Sequence, residues 1–468
     1  MRNRFLKSLL LFILLFLLPS VNTYAIADME SYRLITPKSD TVDNWPVGPV
    51  TSCYSAVLID ADSGTVLYEK KAHEKMYPAS TTKLLTCLLA MEKESVNLND
   101  MVDFSYEAVM SLPSDASNMG MDVGEAMTLE DCIYGILVLS ANEVSNAVAE
   151  YVSGDIDTFV DLMNERAKEL GCNDTHFNNA HGYTDSEHYT TAYDLSLIAR
   201  EFFKNDFLAK ASRTPVYHWY ATDTQPDDIY LGSSNYFMRG IKECEGLVGS
   251  KTGYTDESRN CLVTCAERNG MRLIAVVMKE ETPYQYDDTN SLLDYGFSNF
   301  EKIKVKDYDS KYTITDESFF HSASAVFGNS GNLLSMDDDS YIIIPKTISF
   351  DDLTSELVLN DEENSDILAT VYYSYEGVSL GQANIMILNN DTDASMFDEE
   401  TAEVAKEEPT FIFVNYLIYT VIGIFIFILG VTLLRKLFKD FHISEKRSAR
   451  KHWKKRGYFD KKHFFSRK

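Results

Sequence analysis

The apolar pattern of this chain changes period twice, and that order restricts the fold more than any single residue does. Segments 55–59 and 66–68 read as short strands around the turn Asp62-Ser63-Gly64. Segments 84–91, 128–151, 155–170 and 193–203 then carry helical spacing, with Gly171 placed as a C-terminal cap. Segments 250–254, 260–266 and 271–278 return to strands, with Asn269-Gly270 as a tight hairpin signal between the last two. A helix over 291–297 closes the series. Helices inserted into the middle of an antiparallel sheet predict an α+β domain, placed at 45–300.

From 301 the character changes. Short strands at 341–344, 368–373 and 383–388 alternate with acidic turns, predicting a small β domain over 301–390. Residues 26–44 read as a linker and 391–410 as an acidic stalk.

The two ends are apolar. Arg2, Arg4 and Lys7 precede an apolar run over 8–18, then Pro19 and the small-residue pattern Thr23-Tyr24-Ala25, which predicts a secretory signal peptide over 1–25. Residues 411–434 contain no charged side chain, and at ~1.5 Å per residue they would form a transmembrane helix of about 36 Å. The tail 435–468 holds 14 Lys or Arg against 3 Asp or Glu, which predicts a cytoplasmic side for it and an exported catalytic region.

Taking the tail (+11) and the leader (+3) away from the formal −28 leaves −42 for 26–410. A surface that acidic excludes nucleic acid and anionic lipid as partners of the exported part. Seven cysteines, without CxxC pairs, argue against both a disulfide framework and a zinc site. Cys261 and Cys265 share one predicted strand, about 13 Å apart, too far to bridge. The cysteines are expected to be mostly buried, small hydrophobes.

Three short motifs carry chemistry. Ser80-Thr81-Thr82-Lys83 places a hydroxyl and an amine at i and i+3, on one face if Ser80 opens a helix. The amine can act as base only when neutral, which requires burial or a second cation nearby. Taken alone, the tetrad reads better as an N-capping serine beside a surface lysine. Ser140-Ala141-Asn142, at the end of an apolar helical stretch, offers a hydroxyl to relay a proton and an amide to orient a carbonyl; alone it also fits a helix-end cap. Lys251-Thr252-Gly253, on a predicted strand, offers a cation and a hydroxyl to a carboxylate, while Gly253 leaves room for a substrate backbone at the strand edge.

The order of the three, separated by 60 and 111 residues, matches the set used by penicillin-binding enzymes. Residues 45–300 resemble the low-molecular-mass penicillin-binding proteins, the serine D-Ala-D-Ala carboxypeptidases. The stretch 177–183 (Phe-Asn-Asn-Ala-His-Gly-Tyr) and the stretch 188–195 (His-Tyr-Thr-Thr-Ala-Tyr-Asp-Leu) are similar to that family's central segment. Residues 301–390 resemble, more weakly, its small C-terminal β domain.

The resemblance implies a penicillin-binding/serine β-lactamase-like catalytic fold. It implies that Ser80 forms an acyl-enzyme, that Lys83 takes its proton, and that Ser140 relays a proton to the leaving amine beside Lys251. It further implies that Asn142 positions the substrate amide and Thr252 meets the terminal carboxylate. The N–H groups of Ser80 and Tyr254 would form the oxyanion hole. His181 and His188 become structural, and no metal or cofactor is implied. The partners it implies are a peptidoglycan stem peptide and β-lactams as covalent inhibitors. Two features depart from the family. Residues 279–286 lack the usual arginine for the substrate carboxylate, leaving Arg239 and Arg259 as candidates. The end of the chain reads as a full span, where the family has an amphipathic helix. A β-lactamase is the first rival, but Ala141 stands where that class favours Asp. A non-catalytic wall- or β-lactam-binding receptor is the second.

Overall fold

The computed structural model describes residues 23–309, 311, 333–360 and 367–388. The expected leader lies mostly outside these, and the expected stalk, transmembrane run and basic tail lie entirely outside. Among the described residues no helix is long and apolar enough to cross a membrane.

The first described element is helix α1 (Thr23–Arg33), which runs through Ala25 and into the expected linker. The catalytic region is built on a five-stranded antiparallel sheet in the order β2-β1-β9-β8-β7. Its strands are β1 (Ser55–Asp60), β2 (Val66–Lys70), β7 (Leu247–Thr255), β8 (Arg259–Arg268) and β9 (Met271–Glu280). The expected hairpin is present: Asn269 and Gly270 have φ of 53° and 78°, and Arg268 pairs with Met271 across the turn.

The sheet is buried on both faces, so its strands alternate between two cores. Val57, Ile59, Val263, Ile274 and Val276 point into one core with the helices, while Ala56, Leu58, Leu273, Ala275 and Val277 point into the other.

Between β2 and β7 come helices α2 (Lys83–Glu92), α3 (Tyr106–Met110), α4 (Leu129–Tyr134), α5 (Asn142–Ser153), α6 (Ile156–Glu169), α7 (Ala192–Lys204) and α8 (Asp206–Ser212). Thr128, Asp155 and Thr191 cap three of them by accepting a backbone N–H with the side chain. Two small two-stranded sheets, β3 (Met101–Asp103) with β4 (Ala126–Thr128) and β5 (Val216–Trp219) with β6 (Ile229–Gly232), complete the insert.

The expected single helix over 128–151 is broken. After α4 the chain takes a π turn over Gly135–Leu139, then Ser140 turns left-handed (φ 66°, ψ 35°) and Ala141 is extended before α5 begins. Helical periodicity is intact in the sequence there. The break is imposed by tertiary contacts, which hold Ser140 and Asn142 out toward two lysines.

Helix α9 (Tyr284–Asn299) covers the second face of the sheet and leads into a six-stranded sheet. Its path runs β10 (Phe300–Lys304), β12 (Tyr341–Pro345), β15 (Val378–Leu388), β14 (Ile367–Tyr375) and β13 (Thr354–Leu359), with β11 (Leu333–Met336) paired to β15. The core of this sheet is continuous with the back of the first: Trp45, Phe300, Ile342 and Val371 belong to one buried cluster with Leu58 and Leu273.

Candidate active site

The site forms where the start of α2, the Ser140 turn and strand β7 meet. Ala79–Thr82 is a short 3-10 turn running into α2, so Ser80 and Lys83 share a face, and Ser80 Oγ lies 3.0 Å from Lys83 Nζ. Ala79, just before the serine, has φ 49°, a left-handed conformation that a non-glycine residue holds only when its surroundings fix it.

The central segment 177–188 fixes it from below. His188 Nδ1 accepts the Asn178 N–H at 2.9 Å, which leaves its Nε2–H to donate to Thr82 Oγ1 at 2.8 Å. Thr82 in turn donates to the Ala79 carbonyl, and Gly182 passes against that carbonyl so closely that no side chain fits. Burial pushes the His188 imidazole down to about 3 and holds that of His181 well below its usual range. Both histidines are therefore neutral supports, as the resemblance implied.

Lys83 is fully buried, and its Nζ donates to Asn142 Oδ1 and to the His181 carbonyl, each at 2.6 Å. Burial first, and the nearby Lys251 second, hold its pKa well below the ordinary ammonium range. Lys251 is likewise buried and lowered to about 8 by desolvation; it donates to Ser140 Oγ at 3.0 Å and to the Thr252 carbonyl at 2.8 Å. Three motifs spread over more than 170 residues thus meet in two sets of contacts, Ser80–Lys83–Asn142 and Ser140–Lys251.

Gly253 also meets a packing demand. A methyl group there would stand 2.9 Å from the Pro78 carbonyl oxygen and 3.0 Å from the Ser80 amide nitrogen. The missing side chain makes room for the Ser80 turn against β7. Tyr254 itself is exposed, and its hydroxyl donates to Asp256 at 3.0 Å. Thr252 is half-buried on the same strand.

Of the two candidate arginines, Arg259 pairs with Glu281 at 2.7 and 2.8 Å and donates to the Tyr254 hydroxyl. Its charge is thereby committed at the rim. Sequence reasoning missed Glu143, which follows the Ser140–Asn142 motif and is buried. Its carboxylate accepts the N–H groups of Met119 and Gly120, tying the 116–121 loop to α5. The buried acid directly after a polar motif was the available signal.

Among the described residues, Cys53, Glu280 and Asp288 form a buried trio of potential metal ligands away from the motifs. Asp288 already accepts the N–H groups of Ser52 and Cys53, and burial raises both the Cys53 thiol and the Glu280 carboxyl. Those protonated groups fit a carboxyl–carboxylate pair. All seven cysteines are free, and six are buried. A cavity of about 790 Å³, lined by Trp45, Glu69, His73 and Arg200, contains none of the motif residues.

A buried lysine with a depressed pKa beside a serine, in an α+β frame with a second buried lysine nearby, fits an acyl-transfer serine hydrolase of the penicillin-binding class. The D-alanyl-D-alanine carboxypeptidase family model matches residues 45–282, and the chain belongs to that family. It is 37% identical over 274 residues to the D-alanyl-D-alanine carboxypeptidase DacF of Bacillus subtilis, covering 55% of this chain and 68% of that protein. It is 26% identical over 401 residues to DacA of Haemophilus influenzae, covering 80% and 95%. Penicillin-binding protein 5 from Haemophilus influenzae superposes with a TM-score of 0.58 at 25% identity, covering 74% of this chain and 98% of that one.

Proposed function

We propose that this enzyme removes the terminal D-alanine from peptidoglycan stem peptides through an acyl-enzyme on Ser80. The observation that carries the residue roles is the valence of Lys83. A neutral amine has two N–H groups and one lone pair. Asn142 Oδ1 and the His181 carbonyl take up the two N–H groups, so the lone pair faces the Ser80 hydroxyl.

Ser80 Oγ then attacks the carbonyl between the two D-alanines as its proton passes to Lys83. The oxyanion forms against the Ser80 and Tyr254 N–H groups, worth a few kcal/mol per donor. Collapse breaks the C–N bond, and Ser140, held by Lys251, delivers its proton to the departing amine and takes one from protonated Lys83, which is neutral again. Asn142 aligns the stem amide, and Thr252 with Lys251 receives the terminal carboxylate across the gap Gly253 leaves open. Water attacks the ester, giving its proton to Lys83, which returns it to Ser80 Oγ as the ester C–O bond breaks. β-Lactams enter the same path and stall at the ester.

The catalytic region 45–300 and the β region 301–390 act as one exported unit, with 391–410 as stalk, 411–434 as membrane span and 435–468 inside the cell. The uncharged run followed by the basic tail supports this topology.

The test is D-alanine release from a peptide ending in D-Ala-D-Ala by the full-length protein and its Ser80→Ala variant. Release by the parent alone establishes the reading. A folded parent that binds penicillin covalently and releases no D-alanine would overturn it.

A further inference from the structure

The catalytic cleft ends in carboxylates. β7 is the outer strand of its sheet, and the mechanism above puts the terminal carboxylate of the substrate at Thr252 and the oxyanion at the Tyr254 N–H. The acyl side of the substrate therefore runs past Tyr254 toward the β7–β8 turn, where Glu257 is exposed. The facing wall continues from Asn142, whose N–H donates to the Ser117 carbonyl at 2.9 Å. Two residues before Ser117 stands Asp115, also exposed.

Tyr183 and Thr184 join the two walls across the floor. They follow Gly182, which packs against the Ala79 carbonyl next to Ser80. The Tyr183 hydroxyl donates to Asp115 at 3.3 Å, and the Thr184 hydroxyl donates to Glu257 at 2.9 Å. Desolvation, and then the charges of Asp115 and Glu257, raise the Tyr183 phenol above its ordinary value, so the fields of both carboxylates meet at one hydroxyl. The backbone here is fixed: the Tyr183 N–H donates to His181 Nδ1 at 3.1 Å, and its carbonyl accepts from Asn179 at 3.0 Å. Among the described residues no lysine or arginine pairs with Asp115 or Glu257, and Arg259, two residues past Glu257, is held by Glu281.

Two carboxylates without a cation, on walls that the acyl side of the substrate must pass, call for a cation on that substrate. The residue preceding the D-Ala-D-Ala pair lies one strand step, about 3.3 Å, beyond the scissile D-alanine. An aliphatic stem carries its end group further along the cleft. We propose that Asp115 and Glu257, held by Tyr183 and Thr184, select stem peptides in which that residue is a diamino acid with a free side-chain amine. The assignment rests on the stem-peptide substrate proposed above. Acylation of the amine in a cross-link removes the charge, so the enzyme acts on stems before they are joined through it.

The test gives the full-length enzyme two peptides that differ by one charge, Nα-acetyl-Lys-D-Ala-D-Ala and the same peptide acetylated also at Nε. D-alanine release should favour the free amine about three- to tenfold in kcat/KM, and raising the ionic strength to ~1 M should shrink that preference. In Asp115→Asn/Glu257→Gln the preference should vanish, while the doubly acetylated peptide, which brings no cation, is turned over at the parent's rate. Equal rates on both peptides in the parent overturn the selection, and so does a preference that survives in the variant. A parallel loss on both peptides in the variant also overturns it, marking a structural role for the two acids. Protection of Ser80 from a fluorescent penicillin separates the two readings. A parent that releases no D-alanine, yet is protected better by the free-amine peptide, keeps the cation site and overturns the carboxypeptidase; no release with equal protection overturns both.

Discussion

At the scale of single residues, two buried lysines set the chemistry and make it depend on pH. In the proposed mechanism Lys83 works neutral and Lys251 works charged. Since Lys251 is lowered to about 8, kcat/KM on a D-Ala-D-Ala peptide should fall on the alkaline side near that pH, while the acid limb reports protonation of the depressed Lys83. A pH–rate profile flat to pH ~10 would contradict this assignment. Behind the sheet, burial and the neighbouring Asp288 hold Glu280 protonated. A folded-state pKa raised above the unfolded one means the fold binds more protons, so this contribution to stability is present at acid pH and lost as pH climbs from about 5 to about 9. Glu280→Gln cannot ionise, and its Tm should therefore decline less than the parent's across that range; parallel curves would disprove it. The reactive residue types were readable in the sequence as three motifs. Their protonation states were not, because burial and the spacing of two lysines distant in sequence decide them.

At the scale of elements, close approach governs the site. Gly253→Ala puts a methyl against the Ser80 turn, so activity should drop about 10²-fold, the cost of moving a nucleophile by roughly 1 Å. Circular dichroism should show the sheet retained; activity within a factor of two would mean the turn yields freely. Glu143→Ala frees the Met119 and Gly120 N–H groups and should lower activity and stability together, by about 1–3 kcal/mol in the latter, measured by urea unfolding. Strands, the Asn269-Gly270 hairpin and the Gly171 cap were legible because turn chemistry and alternation are local. The break at Ser140 was not, since its cause is a pair of hydrogen-bonded lysines on other elements overriding an unbroken helical pattern.

At the scale of the molecule, one apolar core joins the catalytic sheet to the second sheet. Trp45 is a pin between them: its indole N–H donates to the Leu67 carbonyl at 2.9 Å, and its ring lies 5.3 Å from Phe300. Calorimetry should thus record one transition for both sheets, and Trp45→Ala should destabilise it by about 3–5 kcal/mol. Two resolved transitions in the parent would show the halves to be independent. Reductant should leave the Tm unchanged, as all seven cysteines are thiols.

The sequence by itself determined the order of strands and helices, the three motifs with their spacing, the burial of most cysteines and the family resemblance, since periodicity, turn residues and short motifs are properties of neighbours along the chain. Tertiary structure alone decided that Lys83 is buried with its amine beside Ser80 Oγ, that Gly253 closes against the Ser80 turn, and that Arg259 is held by Glu281. Each of these depends on a distance or a dielectric set by segments tens to hundreds of residues apart, and no local pattern encodes either.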